Sequence, residues 1–285
     1  MPWSETARRP RARLRDAKIQ ATRRKMKSLE KYFDFIRDDE TKNTVKRIQN
    51  KALYVNKNNI AAITEFINPY TAKISIPVIK SYDIEFEIFP SYENCERKVF
   101  ILYPQYSEID ENEFISGIRI RNKSKFKKLS HKDYLGALMS LGIERSKTGD
   151  IYVYDDYGDI IVHSDIADYI IYNLDKIGHN RIETERISIN QVSFKEQEHE
   201  ILNIISSSMR IDNIVKHLTK SSREKASVLI KSGSVKLNHI LEDKASIELK
   251  EGDILSISRT GRFKIYKIYG TTKSGKQKVQ IKHYI

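Results

Sequence analysis

Between Ser221 and Asn238 the chain reads SSREKASVLIKSGSVKLN, and this stretch leaves few folds open. Ala226, Leu229 and Ile230 fall at i, i+3 and i+4, which makes one buried helical face. Ser221 or Ser222 caps that helix, and Gly233 ends it where a positive φ costs little. Val235-Lys236-Leu237 then alternates as a strand. Upstream, Ile211, Ile214, Val215 and Leu218 form the apolar stripe of a preceding helix. Downstream, Gly252-Asp253 turns the chain into a strand from Ile254 to Ser258. Two short helices and a small sheet therefore share one core. Arg223, Ser227 and Lys231, at i, i+4 and i+8, form a polar stripe beside the buried face, with Arg210 and Lys236 at its flanks. Such an edge can follow a phosphate backbone, with serine and backbone groups supplying short hydrogen bonds to phosphate oxygens.

Charge placement supports that reading. The formal net charge of the 285-residue chain is +13. Residues 209–285 hold 17 Lys+Arg against 7 Asp+Glu, and residues 1–25 hold 9 against 2. The remainder, 26–208, is slightly acidic. A solvated surface mixes signs, so a domain-sized cationic surplus points to a polyanion, nucleic acid ahead of an anionic membrane or another acidic partner. No apolar run approaches the roughly 18 residues of a membrane helix, and on charge and layout nucleic acid, not a membrane, is the expected partner. The N-terminus shows no apolar signal-like stretch, and Cys95 is the only cysteine, which makes a reducing cytoplasm the natural setting. Neither a metal nor a cofactor is expected.

Residues 114–190 give the second fold signal. GIRIRN alternates as a strand; HKDYLGALMSLGI is a helix with Ser130 and Asp133 spaced as a capping box. GDIYVYDD and GDIIVHSD are strands joined across Asp156–Gly158, DIADYIIYNLDKIG is a second helix, and IETERISI a closing strand. The order βαββαβ is that of ferredoxin-like and RRM-like folds. The aromatic base-stacking strand of RNA-recognition domains is missing. Tyr152 and Tyr154 share a strand face, open to core packing or to bases. Asp155, Asp156 and Asp159 read as a solvated hairpin loop. Within RIRNKSKFKKLSHK, Arg119, Arg121, Lys123, Lys125, Lys127, Lys128 and Lys132 occur without an acid around Phe126, a mixture suited to phosphates and an unstacked base or simply to a solvated loop.

The whole reads as an α+β chain. Residues 1–25, rich in Arg, Pro and Ala, are expected to be a basic, disordered leader; a basic RNA-wrapping arm or a transit peptide are the alternatives. Residues 26–105 read as an α-rich N-terminal domain with a hairpin of Glu85–Phe89 and Lys98–Tyr103, 106–194 as the RRM-like middle domain, 195–208 as a linker and 209–285 as the C-terminal RNA-binding domain.

The residues Arg210-Ile211-Asp212, Ser222-Arg223, Ala226, Ile230, Gly233, Val235-Lys236-Leu237-Asn238 and Gly252-Asp253 resemble the alpha-L RNA-binding domain named after ribosomal protein S-four, over about residues 209–258. With SRTGRFKIYKIYGTTKSGKQKVQIKHY and LSHKDYLGALMSLGIERSKTGDI, the chain resembles the bacterial YlmH family from roughly Leu29 to Tyr284; the first 25 residues belong to no part of that match. The resemblance implies a non-enzymatic factor of ribosome-associated quality control. Its implied partners are large-subunit ribosomal RNA, peptidyl-tRNA and further quality-control factors. Candidate RNA contacts are Arg210, Ser222, Arg223, Ser227, Lys231, Lys236, Asn238, Arg259, Arg262 and Lys264, with the 119–132 run as a second group. The alternative is an RNA-modifying enzyme, of pseudouridine synthase or rRNA methyltransferase type, anchored by the same domain. No glycine-rich nucleotide loop, synthetase signature or convincing catalytic aspartate motif supports it. A plastid or cell-division-linked adaptor is a third reading.

Overall fold

The computed structural model describes residues 32–36, 38–92, 95–124, 128–195 and 198–284. The expected leader therefore lies outside the described residues, as do Lys125, Phe126 and Lys127. The chain divides into two compact units. One gathers the described residues up to Thr64 with Thr71–Glu87 and Phe100–Ile109; the other gathers Glu65–Tyr70, Ile88–Val99 and everything from Asp110 on.

In the first unit, helix α1 (Asp39–Asn58) starts on the Asp38 carboxylate, which accepts from Thr41 N at 2.8 Å, and ends at Asn59 in a left-handed conformation. Val45, Ile48, Ala52 and Val55 make its buried stripe. Strand β1 (Ala62–Ile63), helix α2 (Pro69–Ile79) and strands β2 (Ile84–Phe89) and β3 (Val99–Pro104) follow; the sheet order is β1-β3-β2. The region read from sequence as α-rich with a hairpin thus also holds a short strand, β1, between its helices.

The second unit holds the plait. After a helical turn α3 (Glu111–Phe114) come β4 (Ile115–Asn122), α4 (His131–Ser140), β5 (Thr148–Val153), β6 (Tyr157–His163), α5 (Ser164–Asn173), β7 (Lys176–Ile177) and β8 (Asn180–Ile187). The sheet order β5-β6-β4-β8-β7 is antiparallel throughout, with the βαββαβ order carried by β4, α4, β5, β6, α5 and β8. Ile118, Ile120, Ile160 and Val162 of the sheet meet Tyr134, Leu138, Ala167 and Ile170 of the helices in one core. The capping box forms: Ser130 N donates to the Asp133 carboxylate at 2.8 Å. Gly158 lets the Tyr134 ring approach the sheet closely, since a Cβ there would sit 2.7 Å from that ring.

The C-terminal module contains β9 (His199–Ser206), α6 (Ile211–Leu218), α7 (Arg223–Lys231), β10 (Val235–Leu237), β11 (Ile240–Leu241), β12 (Ile254–Ile257), β13 (Gly261–Thr271) and β14 (Gln277–Tyr284). They form a six-stranded antiparallel sheet in the order β11-β10-β12-β13-β14-β9. Ile211, Ile214, Val215, Ala226 and Ile230 from the helices pack onto Leu255, Phe263, Ile265, Val279 and Ile281. The stretch 195–208, expected as a linker, instead supplies β9, paired residue by residue with β14 from Tyr284↔His199 to Gln277↔Ser206. Its backbone groups find partners about eighty residues away, a pairing no local pattern announces.

Candidate nucleic-acid interface

The C-terminal module is organised around one buried carboxylate. Asp212, only 3% exposed in the first turn of α6, accepts from Arg210 Nε at 3.2 Å and Nη2 at 2.9 Å, and from Arg223 Nε at 3.1 Å. Burial pushes the Asp212 carboxyl up, but the two guanidinium hydrogen bonds and charges outweigh it and hold the group below the usual carboxylate range. Arg210 and Arg223, expected as free cations on the edge, are therefore held side by side and keep only part of their donor capacity for a ligand. Each guanidinium has five N–H donors in a planar fork, so the outer donors remain available to phosphate oxygens.

Helix α7 carries the remaining predicted contacts. Ser222 is its N-cap, its hydroxyl accepting from Lys225 N at 3.2 Å. Ser227 is half-buried, whereas Lys231 in the last turn and Lys236 on β10 are exposed and make no ion pair among the described residues. Gly233, at φ +73°, turns the chain between them. Leu229 is half-buried; Ala226 and Ile230 form the buried face. Asn238 serves the fold: its Nδ2 donates to Asp253 at 2.8 Å and its Oδ1 accepts from Ile254 N at 2.9 Å, so it fixes the turn after β10 against the start of β12.

Beyond β12, Arg259 is exposed at φ +62° and Lys264 lies on β13. Arg262 is ion-paired with Glu96 and lies 5.7 Å from the Tyr284 ring centre. His239, half-buried beside Arg262 and Lys236, is pushed down to about 4, first by desolvation and then by those charges, so it stays neutral at pH 7. Lys132 from α4 joins Ser256, Arg259, Thr260 and Arg262 around an open cleft of about 490 Å³.

The middle run 119–132 differs from its sequence reading. Arg119 donates to Asp159 at 2.8 and 2.7 Å and lies 4.6 Å from the Tyr157 ring centre. Asp159, expected in a solvated loop, is fully buried and also accepts from Ser193 N at 3.0 Å. Arg121 bonds Glu185 at 3.1 Å, Lys123 pairs with Glu183, and Lys128 bonds Asp155 at 2.6 Å. The run holds no acid of its own, yet β6, β8 and the β5–β6 turn bring one to each of these four cations. Register does this: Arg119 lies opposite Asp159 in the β4–β6 ladder, and Arg121, opposite Glu183 in the β4–β8 ladder, reaches diagonally to Glu185 and leaves Glu183 to Lys123. Tyr152 is buried, and Tyr154 stacks on Tyr157 at 4.7 Å, so both pack rather than face outward as a bare platform. Of the described cations in this run, Lys132 alone faces the cleft.

Comparison with known proteins accords with this geometry. Residues 110–191 match the family described as "Putative RNA-binding domain in YlmH", and residues 209–255 match the S4 domain. A solved structure described as cell division protein ylmH from Streptococcus pneumoniae is 22% identical, covers 55% of this chain and 96% of its own length, and has a TM-score of 0.47. A Bacillus subtilis (strain 168) relative, "Ribosome-associated protein quality control protein P2", is 33% identical over 218 residues, spanning 76% of this chain and 85% of the relative. With both domains in this order and identity sustained over that length, the chain belongs to the YlmH family.

Proposed function

We propose that this chain is a non-catalytic RNA-binding protein that works on the large ribosomal subunit in the cytoplasm. There it holds ribosomal RNA, and the tRNA of an unfinished nascent chain, during quality control of stalled translation. The observation that carries the reading is the contrast between the two basic regions. Four cations of the middle run are matched by acids of the same plait, whereas Lys231 and Lys236 on the rim of the S4-type module have no acid partner among the described residues. A cation left without an internal partner on a folded rim, beside two guanidinium groups fixed by one carboxylate, suits phosphate oxygens presented by a structured RNA. The name of the Bacillus relative supplies the ribosomal setting, and further quality-control factors belong to the same proposal. Gradient sedimentation of lysate under stalling conditions tests it. The protein is expected in large-subunit fractions that also contain tRNA; recovery only at the top of the gradient contradicts the proposal.

A further inference from the structure

The S4 match stops at residue 255, but the sheet continues through β13, β14 and β9, and helices α6 and α7 cover only one of its faces. Ladder register fixes which side chains share the other face. One row runs Lys236, Ser256, Arg262, Tyr284, His199, and the next runs Ile254, Lys264, Lys282, Ile201. A third contains Lys267, Gln280 and Asn203, with Tyr266 in the bulge beside Lys267, and a fourth sets Lys278 against Ile205. These rows contain Lys or Arg on every strand from β10 to β14 except β11 and β12, and no Asp or Glu. Glu96 meets the face at Arg262 alone among the described ion pairs.

Large side chains stand open among these cations. Tyr266 is 49% exposed, Tyr269 41%, Ile201 42% and Ile205 53%. A solvated sheet face normally alternates to polar residues, so open rings and isoleucines interleaved with lysines need a partner that offers both charge and flat apolar surface. Both rings are tethered. The Lys282 ammonium lies 4.9 Å from the Tyr266 ring centre, and the Tyr269 hydroxyl is 3.4 Å from Asn203 Oδ1, which also accepts from Gln280 Nε2 at 3.2 Å. In duplex RNA the base faces are hidden in the stack, and only the phosphates would be engaged here. An unpaired strand offers phosphates and exposed base faces together.

We propose that the outer face of the six-stranded sheet is a second RNA-binding surface that takes a single-stranded segment. Its bases lie on Tyr266 and Tyr269, while Lys264 and Lys278 hold its phosphates. The proposal rests on the RNA-binding reading above and deepens it: structured RNA goes to the helix edge around Lys231, unpaired RNA to the sheet.

The test uses the full chain with two labelled probes, a short oligouridylate and an RNA hairpin. The Tyr266→Ala/Tyr269→Ala variant removes exposed rings and no charge, so its melting temperature and its salt dependence should match wild type. Oligouridylate affinity should fall by at least about tenfold while hairpin affinity stays within about twofold. Lys231→Glu should do the reverse. Oligouridylate binding unchanged in the tyrosine variant overturns the proposal. So does a wild-type protein that binds the hairpin but not oligouridylate, which leaves the general RNA-binding reading standing. If wild type binds neither probe, both readings fall. If polyglutamate of equal charge displaces oligouridylate as well as unlabelled oligouridylate does, the face takes an acidic protein and the proposal is again overturned.

Discussion

The Nε of Arg223 lies 3.1 Å from Oδ2 of Asp212, tying the first turn of α7 to the first turn of α6. Arg210 grips the same carboxylate from the residue before α6. One buried acid thus sets both the angle between two short helices and the spacing of two guanidinium groups on the edge proposed to meet RNA. Scaffold and site share a side chain, so substituting it acts on both.

Asp212→Asn keeps the shape and removes the charge. Charge-assisted hydrogen bonds are worth about 1.5–3 kcal/mol, and a loss of this size is expected at neutral pH, with weaker RNA binding because the two arginines are no longer fixed. The carboxyl is held below its ordinary value of about 4, so its contribution is present above that pH and lost as pH falls through the lower folded-state value. Denaturation curves of wild type and variant should therefore separate at pH 7 and converge below about pH 4. Equal stability at pH 7 would remove the clamp from the account.

Arg119 separates structure from binding in the middle domain. Its removal strands the Asp159 carboxylate, fully buried in the plait, and breaking such a pair costs about 3–5 kcal/mol. Arg119→Ala is expected to lower the melting temperature strongly. At a temperature where the variant is still folded, RNA affinity should stay near that of wild type. Affinity lost without a stability change would restore Arg119 as an RNA contact.

Asp150 gives a pH dependence of the opposite sign. Burial, then the nearby Glu96 charge, raise its carboxyl to about 6, against the lowering effect of the Glu96 and Arg97 backbone N–H groups and of Arg145. A raised acid makes the folded state bind the extra proton, so folding loses stability as pH rises from about 4 to about 6, and the deficit is complete above that. Asp150→Asn retains an oxygen for the Glu96 N–H, now 2.8 Å from Asp150 Oδ2. It should match wild type near pH 4 and exceed it at pH 8 by up to about 3 kcal/mol. A variant less stable than wild type at pH 8 contradicts this.

What could be read from sequence follows the range of the forces involved. Ser222, Gly233 and the Ser130–Asp133 pair act within one turn of backbone, so caps and breaks were legible. The βαββαβ order was legible because alternation and 3.6-residue periodicity differ along a single chain. Strand β9 was not: Ile201 and Ile205 face out while Leu202 and Ile204 pack inward, so it shows no clean alternation, and its partner is β14. The charge balance of the 119–132 run was hidden for a similar reason. Arg119 meets an acid forty residues on and Arg121 one sixty-four residues on, delivered by register rather than by sequence. Positions on the α7 edge survive because the helix alone sets them; that Arg223 is clamped while Lys231 is not depends on α6 packing beside it.

The most direct test of the phosphate grip is the salt dependence of structured-RNA affinity for wild type and for Lys231→Glu/Lys236→Glu. Both lysines are exposed and unpaired among the described residues, so the melting temperature should hold, unlike that of Ile230→Ala, whose buried side chain should cost about 2–5 kcal/mol. With about six phosphate contacts, wild-type affinity should fall roughly a thousandfold between about 50 and 200 mM salt, and the double variant should bind far more weakly with a slope shallower by about 2. A flat wild-type slope, or a double variant with wild-type affinity and slope, would contradict the account.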